Sequence, residues 1–377
     1  MRTKTCGGLA GAALLAAGIA GPAAAADADD NAYLEGIVIG TYQATGESHI
    51  DGQKIDDEAN GELYLFGALD MGPGAWNLEV RAATTPADHG VSSFYGSNAS
   101  VGETTDGDGD GRIAVTQLFY ELPMGLGDLR AGLLDPTAVL DGNDVANTEY
   151  TQFLAGAFVN NPTIGFPSFV LGGAYQGNTP GHLGYKLFVG SDSGLQAEDD
   201  PTYHNVFAVG GHRGGYRKGV FTGAELDWHA DGYTAQAGVW YDTGEVAPLG
   251  RTDGGENGYG LYALAGTPLA AGRLEGRAGI ANEDAQAAAN FLSLAYELPL
   301  RFANRDTTLG VAVARTGDSG RLAFDSDPIY RAEAYWRINV AGSFYVSPDL
   351  QYINNAGFEA GRDDVLIGGT RVGYEFY

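Results

Sequence analysis

Segments of about ten residues in which apolar and polar side chains alternate recur along nearly the whole chain. Trp76, Leu78, Val80 and Ala82 alternate with Asn77, Glu79 and Arg81. Val220, Thr222, Ala224, Leu226 and Trp228 alternate with Glu225, Asp227 and His229. Leu274, Gly276, Ala278 and Ile280 alternate with Arg273, Glu275 and Arg277, and Ala332 to Val340 repeats the pattern against Arg331, Glu333, Tyr335, Arg337 and Asn339. A period of two puts each set on its own face of a strand. A soluble β-sandwich would alternate too, so the connections decide. Short ones (Met71 to Gly74, Pro123 to Gly127, Asn178 to Gly181, Asp231-Gly232, Thr267 to Gly272) interleave with long ones (Ala44 to Asn60, Thr84 to Gly111, Thr243 to Asn257, Thr316 to Asp327). A sandwich has no reason to sort its loops by parity, whereas a membrane barrel has short turns at one end and long loops at the other. The predicted fold is all-β: a transmembrane antiparallel barrel with apolar side chains outside and polar ones inside.

Seventeen segments qualify as strands, which would leave the termini at opposite ends. Assigning Tyr203 to Arg213 to a long loop restores an even count of about sixteen. No segment after the start is apolar for the roughly 18 residues a membrane helix needs. Residues 1–26 read as an export signal: Arg2 and Lys4, an apolar run from Gly7 to Ala20, and small Ala24, Ala25 and Ala26 before Asp27. The only cysteine, Cys6, lies in this segment, so residues 27–377, the expected barrel domain, hold no disulfide or thiolate metal site. Without Arg2 and Lys4, 19 of the 21 basic residues remain against 48 acidic ones, a net charge of −29. That balance argues against nucleic acid as a partner. It fits either a preference for cations or a saline habitat. Gly368, Thr370, Val372, Tyr374 and Phe376 form an apolar, aromatic face on the last strand, the kind of terminal strand that barrel-assembly machinery reads. Tyr377 follows it and shifts the usual terminal aromatic by one position.

One connection stands apart. Asp135 to Pro167 carries Asp135, Asp141, Asp144 and Glu149 and no Lys or Arg. Tyr150, Phe153, Leu154, Ala157 and Phe158 recur at helical spacing behind Asn147 as cap and Glu149 in the first turn, and Asn160, Asn161 and Pro162 stop the run. A loop this long that carries an apolar face is expected to fold into the barrel and narrow it; the bland alternative is a loop packed on the rim. The inward set expected on the wall comprises Glu79, Arg81, Glu121, Arg130, Lys186, Glu225, Asp227, Arg277, Arg315, Glu333 and Arg337. Asp135, Asp144, Asn147 and Glu149 of the loop would face Arg81, Arg130, Arg277 and Arg337 across a gap and offer hydrogen bonds to hydroxyls. Phe119, Phe188, Tyr335 and Tyr345 would stack on rings. For any single residue the plain alternative is a charge that only pairs and solvates a polar lumen.

Asp106-Gly107-Asp108-Gly109-Asp110-Gly111 matches the first half of a calcium loop, with oxygen ligands at alternate positions. Position twelve is Gln117 rather than a bidentate Glu, and a strand follows. A solvated turn is the competing account, and calcium at Asp106, Asp108 and Asp110 is the one cofactor left open. The six histidines (His49, His89, His182, His204, His212 and His229) show no zinc-binding spacing. His229 beside Asp227 is the nearest approach to a hydrolytic pair, with no serine placed to complete it, so no catalytic residue is assigned.

Two stretches resemble the carbohydrate-selective porin family (the OprB type) of bacterial outer membranes. Glu333-Ala334-Tyr335-Trp336-Arg337 with Val346 to Asn355, including Pro348-Asp349-Leu350-Gln351-Tyr352-Ile353, is similar to that family's penultimate hairpin; Ala356 stands where the family continues with Pro. Asn143-Asp144, Glu149, Gln152-Phe153 and Phe158 to Pro162 are similar to its loop after the fifth strand. Together they cover about a fifth of the chain after the signal, which is short for the family. The resemblance implies passive diffusion of small sugars through an outer-membrane barrel in contact with lipid and lipopolysaccharide, as a monomer or a homotrimer. A general or cation-selective porin shares these features. A barrel hydrolase or a calcium-dependent surface binder is the rival of another class.

Overall fold

In the computed structural model sixteen strands close into one antiparallel barrel. The structure describes residues 31–46, 48–50, 53–99, 101, 104–105, 109–195, 203, 206, 210–251 and 253–377. The expected signal 1–26, His204, and Asp106 and Asp108 of the calcium-like run lie outside these residues. In chain order the strands are β1 (Ala32–Ala44), β2 (Glu58–Met71), β3 (Gly74–Ala83), β4 (Ile113–Met124), β5 (Gly127–Leu134), β6 (Val170–Asn178), β7 (Leu183–Ser191) and β8 (Val220–Ala230). They continue as β9 (Tyr233–Val246), β10 (Glu256–Leu269), β11 (Gly272–Ala281), β12 (Ala288–Phe302), β13 (Arg305–Asp318), β14 (Ile329–Ala341), β15 (Phe344–Asn354) and β16 (Val365–Phe376). Each pairs with the next, and β1 closes the ring on β16, with Gly36 opposite Phe376 and Ala44 opposite Gly368. Tyr203 and Val206 lie in the connection between β7 and β8. His212–Arg213 forms a small hairpin with Tyr216–Arg217 instead of crossing, so the count of sixteen stands.

The parity of the loops is as expected. The start of β1, the end of β16 and every short turn lie at one end of the barrel, and every long connection lies at the other. At the short end, Asp231 (φ 52) and Gly232 (φ 82) take two consecutive left-handed conformations, which gives the primed turn whose twist matches the paired strands.

The two faces invert the pattern of a soluble protein. Leu34 is 61% exposed, Leu226 56%, Val313 55% and Leu366 58%, while the inward Glu225 is 2% exposed and Arg371 1%. An apolar surface running round the whole barrel faces lipid, not water. Aromatic side chains mark both edges of this band. Tyr42, Tyr241, Tyr259, Tyr330 and Tyr352 sit toward the long-loop end, and Trp76, Tyr233, Phe302 and Tyr374 toward the short-turn end. A recurrent bond fixes the short-turn belt. A tyrosine on one strand donates to a carbonyl at the end of the strand two earlier: Tyr120 to Met71 (2.7 Å), Tyr175 to Met124 (2.9 Å) and Tyr296 to Leu269 (3.0 Å). Arg315 departs from expectation. Ala312 and Ala314 of β13 turn inward under the long loop, which sends Arg315 outward with Val311 and Val313, where its Nη1 donates to Asn290 Oδ1 at 2.6 Å.

Candidate functional site: a loop held inside the barrel

After Leu134 the chain leaves the wall and does not rejoin it until Val170, two residues beyond the expected boundary. The loop enters the lumen, as predicted, but the long helix predicted within it does not form. Asp135 accepts from Thr137 N at 2.9 Å and caps a single turn at Pro136–Ala138, and helix α1 covers only Gly156–Val159. Several amides between them take side-chain acceptors in place of a carbonyl four residues back. Gln152 Oε1 accepts from Asn147 N (2.8 Å) and Thr148 N (3.1 Å), and Glu333 on β14 accepts from Leu154 N (2.5 Å) and Ala155 N (3.0 Å). Of the apolar residues that suggested a helix, Phe153, Leu154 and Phe158 are buried and Tyr150 and Ala157 half-buried, on different surfaces. Phe153 and Phe158 pack with Val145 against Phe291, Ala295 and Tyr335, and Tyr150 packs on Tyr64, Phe66 and Tyr345. Burying side chains of this size is worth about 1.5–3 kcal/mol each, and this offsets the entropy of ordering a long loop.

An irregular segment inside a barrel must find partners for its backbone groups. Here charged wall side chains supply them. Glu225 on β8 accepts from Asp141 N at 2.8 Å, and Glu275 on β11 accepts from Asp144 N and Val145 N at 3.1 Å each. Arg277 on β11 donates to the carbonyls of Phe158 (2.9 Å), Val159 (3.2 Å), Asp141 (3.1 Å) and Ala146 (3.4 Å). Arg371 on β16 donates to Glu149 O and, at 2.8 Å, to Gln152 O, and the Tyr345 hydroxyl donates to Tyr150 O. At its turn the loop ties itself together: Asp141, at φ 60, pairs with Arg277 Nε at 3.3 Å and accepts from Asn161 N on the returning limb at 3.0 Å.

The residues expected to serve a solute are mostly engaged in this scaffold. Arg81 pairs with Glu79 and lies 3.7 Å from Asp135 Oδ2, and its guanidinium sits 5.0 Å from the Tyr64 ring centre and 4.8 Å from that of Phe169. Glu149 lies beside it, accepting from the Tyr64 hydroxyl at 3.3 Å. One wall arginine therefore gathers the first residue of the loop, its last and its middle. Arg130 pairs with Glu121 at 2.6 Å over Phe119, and Arg337 pairs with Glu375 at 3.2 Å over Tyr345. Asn147 Oδ1 accepts from Asn143 N at 3.1 Å and braces the loop. Asp144 alone among these carboxylates projects into water, with its side chain 62% exposed and 3.0 Å from Arg273. The charges thus pair locally instead of facing each other across an open gap, because burial makes an unpaired charge too costly. Phe119 and Tyr335 do face inward, but the loop covers them, and Phe153 packs edge-on against Tyr335 at 5.0 Å. Asp110 lies at the surface, 3.5 Å from Thr85 Oγ1. His229 and Asp227 meet at 3.2 Å beside the Asp231-Gly232 turn, at the mouth and away from the loop.

Two contributors were not anticipated. Arg371 lies on the inward face of the terminal strand, one residue out of step with the outward aromatic face, and parity alone would have found it. Residues 91–99 of the second long loop, between β3 and β4, also enter the lumen. Its helix α2 (Val91–Tyr95) is followed by Ser97, whose hydroxyl donates to Gln43 Oε1 at 3.0 Å, and Ala99 N donates to Leu154 O at 2.8 Å, resting this loop on the inserted one. Burial raises the pKa values of the loop carboxyls Asp135 and Glu149, against the lowering influence of Arg81, and pushes Asp141 up to about 6 against Arg277.

No family model matches the chain, and no curated protein matches it. Among solved structures it superposes on OprB of Pseudomonas putida, in its high-pH structure, with a TM-score of 0.72 at 16% identity, over 92% of this chain and 94% of that one. It superposes on a triple mutant of the Rhodopseudomonas blastica porin with a TM-score of 0.52 at 13% identity, over 92% and 100% of the two chains. The shared property is the porin-type barrel fold.

Proposed function

We propose that this chain is an outer-membrane porin through which small polar solutes, carbohydrates foremost, diffuse passively. The observation that carries this reading is the inserted loop. A barrel built only for anchorage or adhesion has no need to hold 35 residues across its lumen by their backbone. In a porin that loop sets the size limit, while polar groups around it exchange hydrogen bonds with the solute's hydroxyls. The long loops would face the cell exterior and the short turns the periplasm. The resemblance of Asn143 to Pro162 and of Pro348 to Asn355 to carbohydrate-selective porins, together with the likeness to the OprB structure, supports sugars over other solutes. A cation preference is the second reading, favoured by exposed Asp144 and by half-open Glu35, Glu121 and Glu297 on the short-turn side of the loop.

The test is single-channel conductance of the refolded residues 27–377 in a planar bilayer, titrated with glucose, maltose and phosphate. Stepwise conductance that sugars block saturably is expected. Channels indifferent to sugar but selective for cations would move the assignment to an ion porin, and a folded barrel that conducts nothing would overturn the porin reading.

A further inference from the structure

The folds of the inserted loop enclose a cavity of about 240 Å³ between its outgoing limb (Asp135, Thr137), helix α1 and its returning limb (Asn160 to Phe169). It lies toward the long-loop end: Thr163 of the returning limb meets Gly279, near that end of β11, and Gly165 meets Gln286, in the long-end connection between β11 and β12. A solute coming from the long-loop side therefore meets it before the tightly packed part of the loop. At a share of about 30 Å³ per water the volume holds roughly eight waters. That suits one sugar ring and leaves the second ring of a disaccharide outside.

Its chemistry is mixed in a specific way. The Asn160 carboxamide is half-buried, borders the cavity and makes no hydrogen bond among the described residues, although its neighbour Asn161 is fully engaged with Ala278 O and Thr163. A carboxamide offers a donor and an acceptor side by side, which matches two adjacent hydroxyls. The Thr137 hydroxyl donates to Asp135 Oδ1 at 2.7 Å, so its oxygen is left to accept from a ligand. Phe166 is half-buried, with one side against Phe221 at 5.8 Å between ring centres, and it supplies a flat apolar surface for the C–H face of a pyranose.

We propose that this cavity is a subsite for a single pyranose ring, with Asn160 binding a vicinal diol and Phe166 stacking beneath it. The proposal rests on the porin reading above and adds to it the place where a sugar pauses.

The experiment is a glucose titration of the blocked fraction of single-channel current for the wild type, Asn160→Ala and Phe166→Leu. Melting temperature and the loop's protease pattern serve as folding checks. Losing the carboxamide's hydrogen bonds should raise the half-blocking glucose concentration about fivefold or more, and Phe166→Leu should raise it by a similar factor. Because residues 27–377 contain no cysteine, Asn160→Cys provides a second readout: glucose should slow its labelling by a maleimide. A wild type blocked by glucose, with both variants half-blocked at the same concentration and labelling unaffected by glucose, overturns the subsite and leaves the sugar-porin reading standing. A wild type that no sugar blocks removes both.

Discussion

Arg277→Met should release the loop from the lumen without unfolding the barrel. Arg277 donates to four loop carbonyls and pairs with Asp141, and both side chains are almost fully buried. Methionine keeps the stem's volume but leaves those carbonyls short of donors and the Asp141 carboxylate without its cation. Breaking a buried pair from one side costs about 3–5 kcal/mol. At 1.4 kcal/mol per tenfold, the ratio of docked to released loop falls by roughly two to nearly four powers of ten. The β11 ladders to β10 and β12 are backbone bonds that the substitution does not touch, so melting of the barrel should change little. Single-channel recordings should show a larger, noisier open level, and limited proteolysis should cut within residues 139–160. Asp141→Asn in the same chain removes the stranded charge, so the double variant should be less damaged than the sum of the singles, with a coupling of about 1–3 kcal/mol. A quiet channel of wild-type conductance and an uncut loop in Arg277→Met would refute the view that wall charges hold the loop.

Three further outcomes follow from the same geometry. Asp141 is pushed up to about 6 in the folded chain against a normal 3.8, so between those values the folded state binds more protons than the unfolded one; docking of the loop should therefore strengthen as pH falls from above 6 toward 4, seen as slower loop proteolysis relative to a reference substrate, and Asp141→Asn should make that profile shallower, leaving the share of Asp135 and Glu149, whose values burial also raises. Gly310→Ala would place a Cβ 2.1 Å from Tyr335 Cε1, displacing the ring from Phe153 and Glu297; the barrel should lose about 1–3 kcal/mol, and an unchanged melting temperature would count against the packing described. Tyr120→Phe removes one hydroxyl bond to the Met71 carbonyl in the short-turn belt and should cost about 1 kcal/mol in a urea refolding titration into lipid vesicles, with no effect on conductance.

The barrel was legible because its signals are local and repeated. The alternation in Trp76 to Ala82 or Ala332 to Val340 needs no knowledge of distant residues, and the sorting of loop lengths fixes the topology. The inserted loop was legible as a location for the same reason: the acid-rich, apolar stretch from Asp135 is unlike every polar loop. Its conformation was not legible. The spacing of Tyr150, Phe153, Leu154 and Phe158 is helical, but the amides of Leu154 and Ala155 bond to Glu333, nearly 180 residues away in the chain. No local pattern carries that. The same is true of Arg277, whose inward direction was plain from parity while its four carbonyl partners were not. Arg315 shows the limit of parity itself. On β13, Ala312 and Ala314 share one face and Val311, Val313 and Arg315 the other; with apolar side chains on both faces, only the packing of the alanines under the loop decides which way the arginine turns.

Wall side chains of both signs hold the loop by its main chain. Glu225, Glu275 and Glu333 receive its amides, and Arg277 and Arg371 meet its carbonyls. Backbone groups are the same whatever the residue, so this arrangement fixes the path of the loop with few demands on its side chains. It also explains why so much charge lies buried in the lumen. Glu225, Glu275 and Arg277 are each held by hydrogen bonds to the loop's main chain as well as by a partner of opposite charge (Lys186, Arg273 and Asp141), which is the condition under which buried charge is tolerated. Side chains not needed for this support are free to serve a passing molecule, and Asn160 and Phe166 on the returning limb are in that position. The path of the loop and the chemistry it offers are thereby carried by different residues, so a change at Asn160 or Phe166 can alter solute preference while Arg277, Arg371 and Glu333 keep the aperture in place.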